Sequence, residues 1–266
     1  MSVRLVLAIM AAVTIAEIVF YLALPKLLSL RGVTVLRRSL TGMTLLFETP
    51  DEDGTPVRLL NVDGTFQSAS YISEDLWSEL VCVYHRTMVD QIDKMGDAKT
   101  VLVIGGGGYS LPKYLVTHTK RMRICVVEID PEMTEIARKH FFLDRAERLA
   151  EGRLELVCAD GWQWLRESGR TFDVIVNDAF SGSKPLGNLA TAEGAHLISQ
   201  HLTSNGMYLA NIRCPLEGRR ARVLDETKEA FEAEFENVHV IAECGDTPRS
   251  LGNNVLVATN RSIVSA

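Results

Sequence analysis

The junction at Gly105–Gly108 constrains this chain more than any other feature. An apolar run, TVLVI, ends there in four consecutive glycines, and the chain then enters helix-compatible sequence, YSLPKYL. A short apolar run before glycines reads as a buried strand, and glycine permits both a tight turn and close approach of backbone to a ligand. A second apolar run, RICVVEID, carries Glu128 near its end, 21 positions beyond Gly107. A glycine-rich turn after one strand and a carboxylate ending the next form the pattern of a nucleotide site at the carboxyl edge of a parallel sheet. The chain is therefore expected to bind a nucleoside-containing cofactor.

From Lys99 onward strand-like and helix-like segments alternate. The strands read TVLVIG, RICVVEID, LELVCAD, FDVIVNDA, GMYLANI, NVHVIAE and NNVLVAT. Helices are expected at about 110–118, 131–142, 161–168, 191–203 and 217–235. Only the loop CGDTPRSLG separates the sixth strand from the seventh, and so short a link joins antiparallel neighbours. The expected fold class is α/β: a seven-stranded, mostly parallel Rossmann-like sheet of the class I methyltransferase type, closed by an antiparallel C-terminal hairpin. A twice-repeated dinucleotide fold would need a helical crossover where this chain has a hairpin.

Before the glycines, TLLFET, VRLLNV and TFQSASYI are separated by PDEDGTP and DG, whose Gly, Pro and Asp make turns. They predict a small antiparallel meander of three strands. A helix from about Glu74 to Lys94 would then pack through Trp77, Leu80, Val81, Tyr84, Met88 and Ile92. Further upstream, Leu5 to Leu24 is an apolar run with a single charge, Glu17. That length matches a bilayer span. Lys26, Arg31, Arg37 and Arg38 follow the run against Arg4 before it, which places the bulk of the chain on the cytoplasmic side of a membrane anchor. The rival readings are a peripheral or buried helix, favoured by the cost of Glu17 at mid-bilayer, and a signal peptide, disfavoured by the missing A-x-A site. The expected organisation is a hydrophobic N-terminal helix over 1–32, a β-meander over 33–73, a linking helix over 74–98 and the nucleoside-binding domain over 99–266.

Composition narrows the partners. A formal net charge of −6 argues against nucleic acid. Cys82, Cys125, Cys158, Cys214 and Cys244 are scattered without metal-ligand spacing, and no histidine pair supplies a ligand motif, so no metal is expected. Cys125 and Cys158 fall within predicted core strands as small hydrophobes. Trp162 and Trp164 are expected to pack a helix on the sheet, and EGRRARVLDETKEAFEAEFE to form a solvated helix face laced with ion pairs.

The order LNVDGTFQ, YHRTM, VLVIGGGGYSLPKYL, VVEIDP, CADGWQWL and FDVIVNDAFSG resembles the spermidine synthase (polyamine aminopropyltransferase) family, and more closely its divergent, membrane-associated branch. The resemblance covers about Leu59 to Leu209 and the last strand. It implies that Gly105, Gly106 and Gly107 form the turn beneath the sulfonium-bearing chain of a co-substrate. It further implies that Glu128 accepts from both ribose hydroxyls, that Asp160 and Gly161 lie by the adenine, and that Gln67 contributes to the same site. Asp178, ending the fourth strand, becomes the catalytic carboxylate that handles the attacking amine, with Tyr84 orienting the substrate. By its sequence alone Asp130, before Pro131, is instead a helix N-cap.

Two positions depart from the family pattern. The glycine loop typically reads G-G-G-D-G, whose Asp grips the amine of decarboxylated S-adenosylmethionine; here Gly108 and Tyr109 follow the first three glycines. The family also typically shows D-S-S-D after the fourth strand, and Ser181 stands where the second Asp would be. Three functions are therefore expected to compete. They are aminopropyl transfer from decarboxylated S-adenosylmethionine to a small-molecule amine, methyl transfer from intact S-adenosylmethionine, and a non-catalytic, membrane-anchored nucleoside-binding module. The resemblance also points to a homodimer.

Overall fold

The computed structural model describes residues 19–20, 23–38, 43–181, 184–185 and 187–261. The chain divides into two compact units, Met1–Ser73 and Glu74–Ala266.

In the first unit, strands β1 (Val33–Arg38), β2 (Met43–Pro50), β3 (Pro56–Val62) and β4 (Thr65–Tyr71) form an antiparallel sheet in chain order. The β3–β4 hairpin turns on Asp63 and Gly64, both at positive φ (51° and 82°), which is the conformation an Asp-Gly pair favours in a two-residue turn. Asn61 Oδ1 accepts the Gly64 N–H at 3.0 Å and secures that turn. The meander has four strands where three were expected, because Val33–Arg38 adds to its edge through β2.

The expected membrane anchor is overturned. Among the described residues no helix is long and apolar enough to cross a membrane. Most of Leu5–Leu24 lies outside the described residues. The cytoplasmic placement that rested on this anchor falls with it.

The second unit is built on a seven-stranded sheet of β5 (Thr100–Ile104), β6 (Arg123–Glu128), β7 (Leu154–Cys158), β8 (Phe172–Asn177), β11 (Leu202–Cys214), β12 (Asn237–Ile241) and β13 (Gly252–Thr259). The remaining strands, β9 (Phe180–Ser181) and β10 (Lys184–Pro185), form a two-residue antiparallel pair. The main sheet runs β12-β13-β11-β8-β5-β6-β7. Its neighbours pair in parallel from β11 to β7, and β13 runs antiparallel to both β11 and β12. Central strands of such a sheet are covered on both faces, so they read as continuous apolar runs. Val101 to Ile104 and Val174 to Val176 are accordingly all buried.

Among the described residues the second unit has seven α-helices: α1 (Val83–Met95), α2 (Ser110–His118), α3 (Pro131–His140), α4 (Leu143–Ala150), α5 (Gly161–Ser168), α6 (Ala192–Gln200) and α7 (Arg222–Glu232). Helix α1 starts nine residues later than Glu74, since Glu74–Cys82 takes turns, although Trp77 and Leu80 in that stretch are buried. Phe141 ends α3 as a fully buried cap and allows the separate, unanticipated α4. Asp130 caps α3 by accepting the Glu132 N–H at 2.9 Å. Arg222–Glu226 and Lys228–Glu232 form the expected ion pairs along α7. Trp162 and Trp164 pack on the sheet core from α5, whereas Cys158 is exposed at its strand end instead of filling the core.

Candidate active site

The glycine loop leaves β5 at the carboxyl edge of the sheet. Gly105 has φ 91°, and a Cβ there would lie 2.8 Å from the Asp178 carbonyl oxygen and 2.9 Å from the Ala179 Cα. The loop therefore lies directly against the backbone that follows β8. Asp178 N–H completes this junction by donating to the Ile104 carbonyl at 2.9 Å.

Glu128, the last residue of β6, faces the same loop and is 9 % exposed. Its Oε2 accepts the Gly106 N–H at 2.7 Å and the Gly107 N–H at 3.2 Å, while Oε1 accepts the Asp130 N–H at 2.9 Å. A carboxylate offers about four acceptor positions. One position on Oε1 is thus uncommitted, and the longer Gly107 bond is the one most readily exchanged. Beside Glu128, the Ile129 side chain is 64 % exposed, an apolar group on the rim of this edge.

Across that rim, Asp160 is the N-cap of α5 and accepts the Gln163 N–H through Oδ1 at 2.9 Å. Gly161 is pressed on Ile104: an added Cβ would sit 2.4 Å from Ile104 Cγ2. We expect Gly161→Ala to destabilise the fold by about 1–3 kcal/mol through overpacking. An unchanged midpoint in urea denaturation would show that Ile104 yields without strain.

Asp178 collects three side chains from distant parts of the chain. Its Oδ2 accepts from the Tyr84 hydroxyl at 3.1 Å and meets His85 Nε2 at 3.0 Å, and its Oδ1 accepts from Asn211 Nδ2 at 2.9 Å. Tyr84 and His85 project from the first turn of α1, with ring centroids 4.1 Å apart. Just before Asp178, the fully buried Asn177 accepts the Ala179 N–H at 3.2 Å and donates to the Tyr208 hydroxyl at 3.1 Å, which fixes the chain as it leaves β8.

Electrostatics sharpen this cluster. Burial alone would lower the pKa of His85, but the hydrogen bond to Asp178, the proximity of Cys82 and the negative charge of Asp178 outweigh it, raising His85 to about 9. His85 is accordingly an imidazolium near neutral pH. Burial, reinforced by the Asp178 charge, pushes Tyr84 well above its ordinary value, so Tyr84 is a phenol that donates to the carboxylate. His85 Nδ1 and Asn211 Oδ1 are buried without a hydrogen-bond partner. The Cys82 thiol stands close enough to His85 to bias its protonation, yet outside hydrogen-bond geometry with Nδ1.

The structure thus brings Gly105, Gly106, Gly107, Glu128, Asp160, Gly161, Asp178 and Tyr84 to one edge of the second unit's sheet. Gln67 lies on β4 of the first unit. Two residues of the Asp178 cluster were absent from the sequence expectations. His85 lay within the quoted YHRTM motif, and Asn211 was marked by being the one amide in the apolar strand GMYLANI.

Residues 81–254 match the spermine/spermidine synthase domain family. A polyamine aminopropyltransferase of Moorella thermoacetica is 30% identical over 135 residues, 50% of this chain and 47% of the relative. One from Buchnera aphidicola is 28% identical over 132 residues, 48% of this chain and 45% of the relative. The chain spans about half the length of these curated relatives. Among solved structures, a probable spermidine synthase from Corynebacterium glutamicum superposes with a TM-score of 0.70 at 23% identity, covering 87% of this chain and 83% of that one. Human methyltransferase-like protein 13, in complex with SAH, superposes with a TM-score of 0.58 at 22% identity, covering 70% and 85%. At these identities the solved structures establish the fold, a methyltransferase-like sheet.

Proposed function

The chain belongs to the spermine/spermidine synthase family, and on that premise we propose that it transfers an aminopropyl group from decarboxylated S-adenosylmethionine to a small-molecule amine. The observation that carries this reading is the contact between the glycine loop and the Asp178 backbone. It sets the glycine loop beside a fixed carboxylate, with Gly105 at the seam, as a nucleoside co-substrate and its acceptor would require.

The residues present fit a nucleoside carrying a ribose diol. One hydroxyl takes the uncommitted position on Glu128 Oε1, and the other replaces the 3.2 Å Gly107 bond on Oε2. Ile129 offers the exposed apolar surface on which an adenine would lie, and Asp160 keeps Oδ2 for its exocyclic amine. Gln67, on the first unit, belongs to this reading by the family resemblance alone. A homodimer belongs to it by family analogy alone.

The co-substrate, when bound, supplies a sulfonium-activated carbon, from which a neutral thioether leaves as the new N–C bond forms. An ammonium has no lone pair, so the chain must first relieve the acceptor of a proton. Asp178 Oδ1 carries one donor against two on Oδ2, and it is therefore the oxygen left to receive the amine's N–H and its proton. Tyr84 and His85 hold the carboxylate from one side and Asn211 from the other.

A second reading, methyl transfer from intact S-adenosylmethionine, is favoured by one observation: residues 105–109 contain no carboxylate. A co-substrate amine finds no counter-charge in that loop, and a co-substrate carboxylate meets no repulsion there. Both readings share the ribose contact. Glu128→Ala is expected to weaken binding of either co-substrate by about 1.5–3 kcal/mol, the loss of hydrogen bonds to a charged group. Calorimetric titration measures this, and an unchanged affinity would remove Glu128 from the site.

A further inference from the structure

We infer that Tyr109 is a positioning residue for this nucleoside site: its ring and hydroxyl hold the Gly106 amide against Glu128 and so set how that carboxylate meets a ribose diol. The inference rests on the proposed nucleoside site and adds to it a residue at a position that the family pattern typically gives to glycine.

Tyr109 occupies the left-handed region, φ 56° and ψ 30°, at the entrance to α2. A residue with a Cβ is disfavoured there, and glycine would adopt the conformation freely. The backbone therefore does not account for a tyrosine; its side chain does. The ring is 1 % exposed and lies directly beneath the loop. A Cβ on Gly106 would fall 2.6 Å from Tyr109 Cζ, 2.7 Å from Cε2 and 2.9 Å from the hydroxyl oxygen. The hydroxyl is tied to Thr134 Oγ1 on α3 at 2.7 Å. The Tyr109 N–H closes the turn by donating to the Gly106 carbonyl at 2.7 Å.

These contacts connect two elements that the site needs in register. Helix α3 follows Glu128 and its neighbour Asp130, whereas the glycine loop precedes α2. Tyr109 joins them by packing on Gly106, whose amide bonds Glu128 Oε2. Burial raises Tyr109 to about 12, the Thr134 bond opposing that rise and the Glu128 charge adding to it. The hydroxyl consequently keeps its proton and can go on bonding Thr134 across the physiological range. Without this strut, the loop amides and the carboxylate would adjust independently, and the diol would have to order both.

The test uses the full-length chain with 5′-methylthioadenosine and its 2′,3′-dideoxy analogue as calorimetric probes, well below the melting temperature of each variant. Tyr109→Phe keeps the ring and removes the bond to Thr134, and Thr134→Val removes the same bond from the other side. Each is expected to weaken methylthioadenosine binding by about fivefold to tenfold, the scale of one lost hydrogen bond, and to leave dideoxy-analogue binding unchanged. Equal weakening of both probes would mean general loss of packing and would overturn the inference, as would no weakening of either. Amide hydrogen exchange without ligand gives a second, independent reading. Exchange at Gly106 should accelerate in Tyr109→Phe relative to the parent, and unchanged exchange overturns the strut. A parent chain that binds neither probe would refute the proposed nucleoside site, leaving the exchange measurement to decide the role of Tyr109.

Discussion

Asp178→Asn is expected to lower turnover by about 10²–10⁴-fold, the range attributed to a positioned general base, with co-substrate affinity little changed. The substitution retains shape and removes the capacity to take a proton. It also disturbs the donor arrangement. Three side chains direct N–H or O–H groups at the carboxylate. An asparagine turned to accept from Tyr84 and His85 presents its NH₂ to the NH₂ of Asn211. Because the change leaves a buried imidazolium without its counter-ion, the variant should also be less stable. Single-turnover kinetics at a temperature where the variant is folded separates the two effects. A variant that turns over at the parental rate would take Asp178 out of the chemistry.

The second large effect is on stability, and its direction follows from His85. Its pKa is about 6.5 in an unfolded chain and about 9 in the fold. A raised value means that the folded state holds the proton more tightly. The stabilisation is fully present below pH ~6.5, declines as pH rises, and is gone above pH ~9. For a side chain that is 7 % exposed, the interval corresponds to roughly 3 kcal/mol. Urea denaturation of the parent should thus lose stability between pH 6 and pH 9.5 beyond what His85→Gln loses. Parallel pH profiles for the two proteins would dismiss the His85–Asp178 pair as a source of stability.

Much of the fold was legible because its signals are local. Continuous apolar runs marked the central strands, and the short CGDTPRSLG link marked the antiparallel end. What failed was also local in origin. The meander was given three strands beginning at Thr44, with Arg37 and Arg38 counted only as basic residues after an apolar run, yet Val33 and Val35 pair with β2 in a fourth strand. The run Leu5–Leu24 matched a bilayer span by length and composition, but most of it lies outside the described residues, and among those no helix is long and apolar enough to cross a membrane.

The site divides along the same line. Glu128 and the glycines were readable since a strand end and a turn carry their own pattern. Tyr84 and Asp178 were each named, but their contact joins positions 94 residues apart. His85 and Asn211 reach Asp178 across 93 and 33 residues. No local periodicity encodes such meetings; they arise when β8, β11 and the start of α1 converge at one edge. The departures at Gly108 and Ser181 were visible as missing charges. The groups that hold Asp178, an imidazolium and an amide, appeared only with the fold.

The most direct test of aminopropyl transfer is product analysis. The full-length chain would be incubated with a panel of amines and either decarboxylated or intact S-adenosylmethionine, and acceptor and nucleoside products resolved by mass. Release of 5′-methylthioadenosine from the decarboxylated compound and an amine enlarged by one aminopropyl group are expected, with both strongly reduced in Asp178→Asn. A methylated acceptor formed only from intact S-adenosylmethionine, with the decarboxylated compound left unconsumed, would contradict aminopropyl transfer.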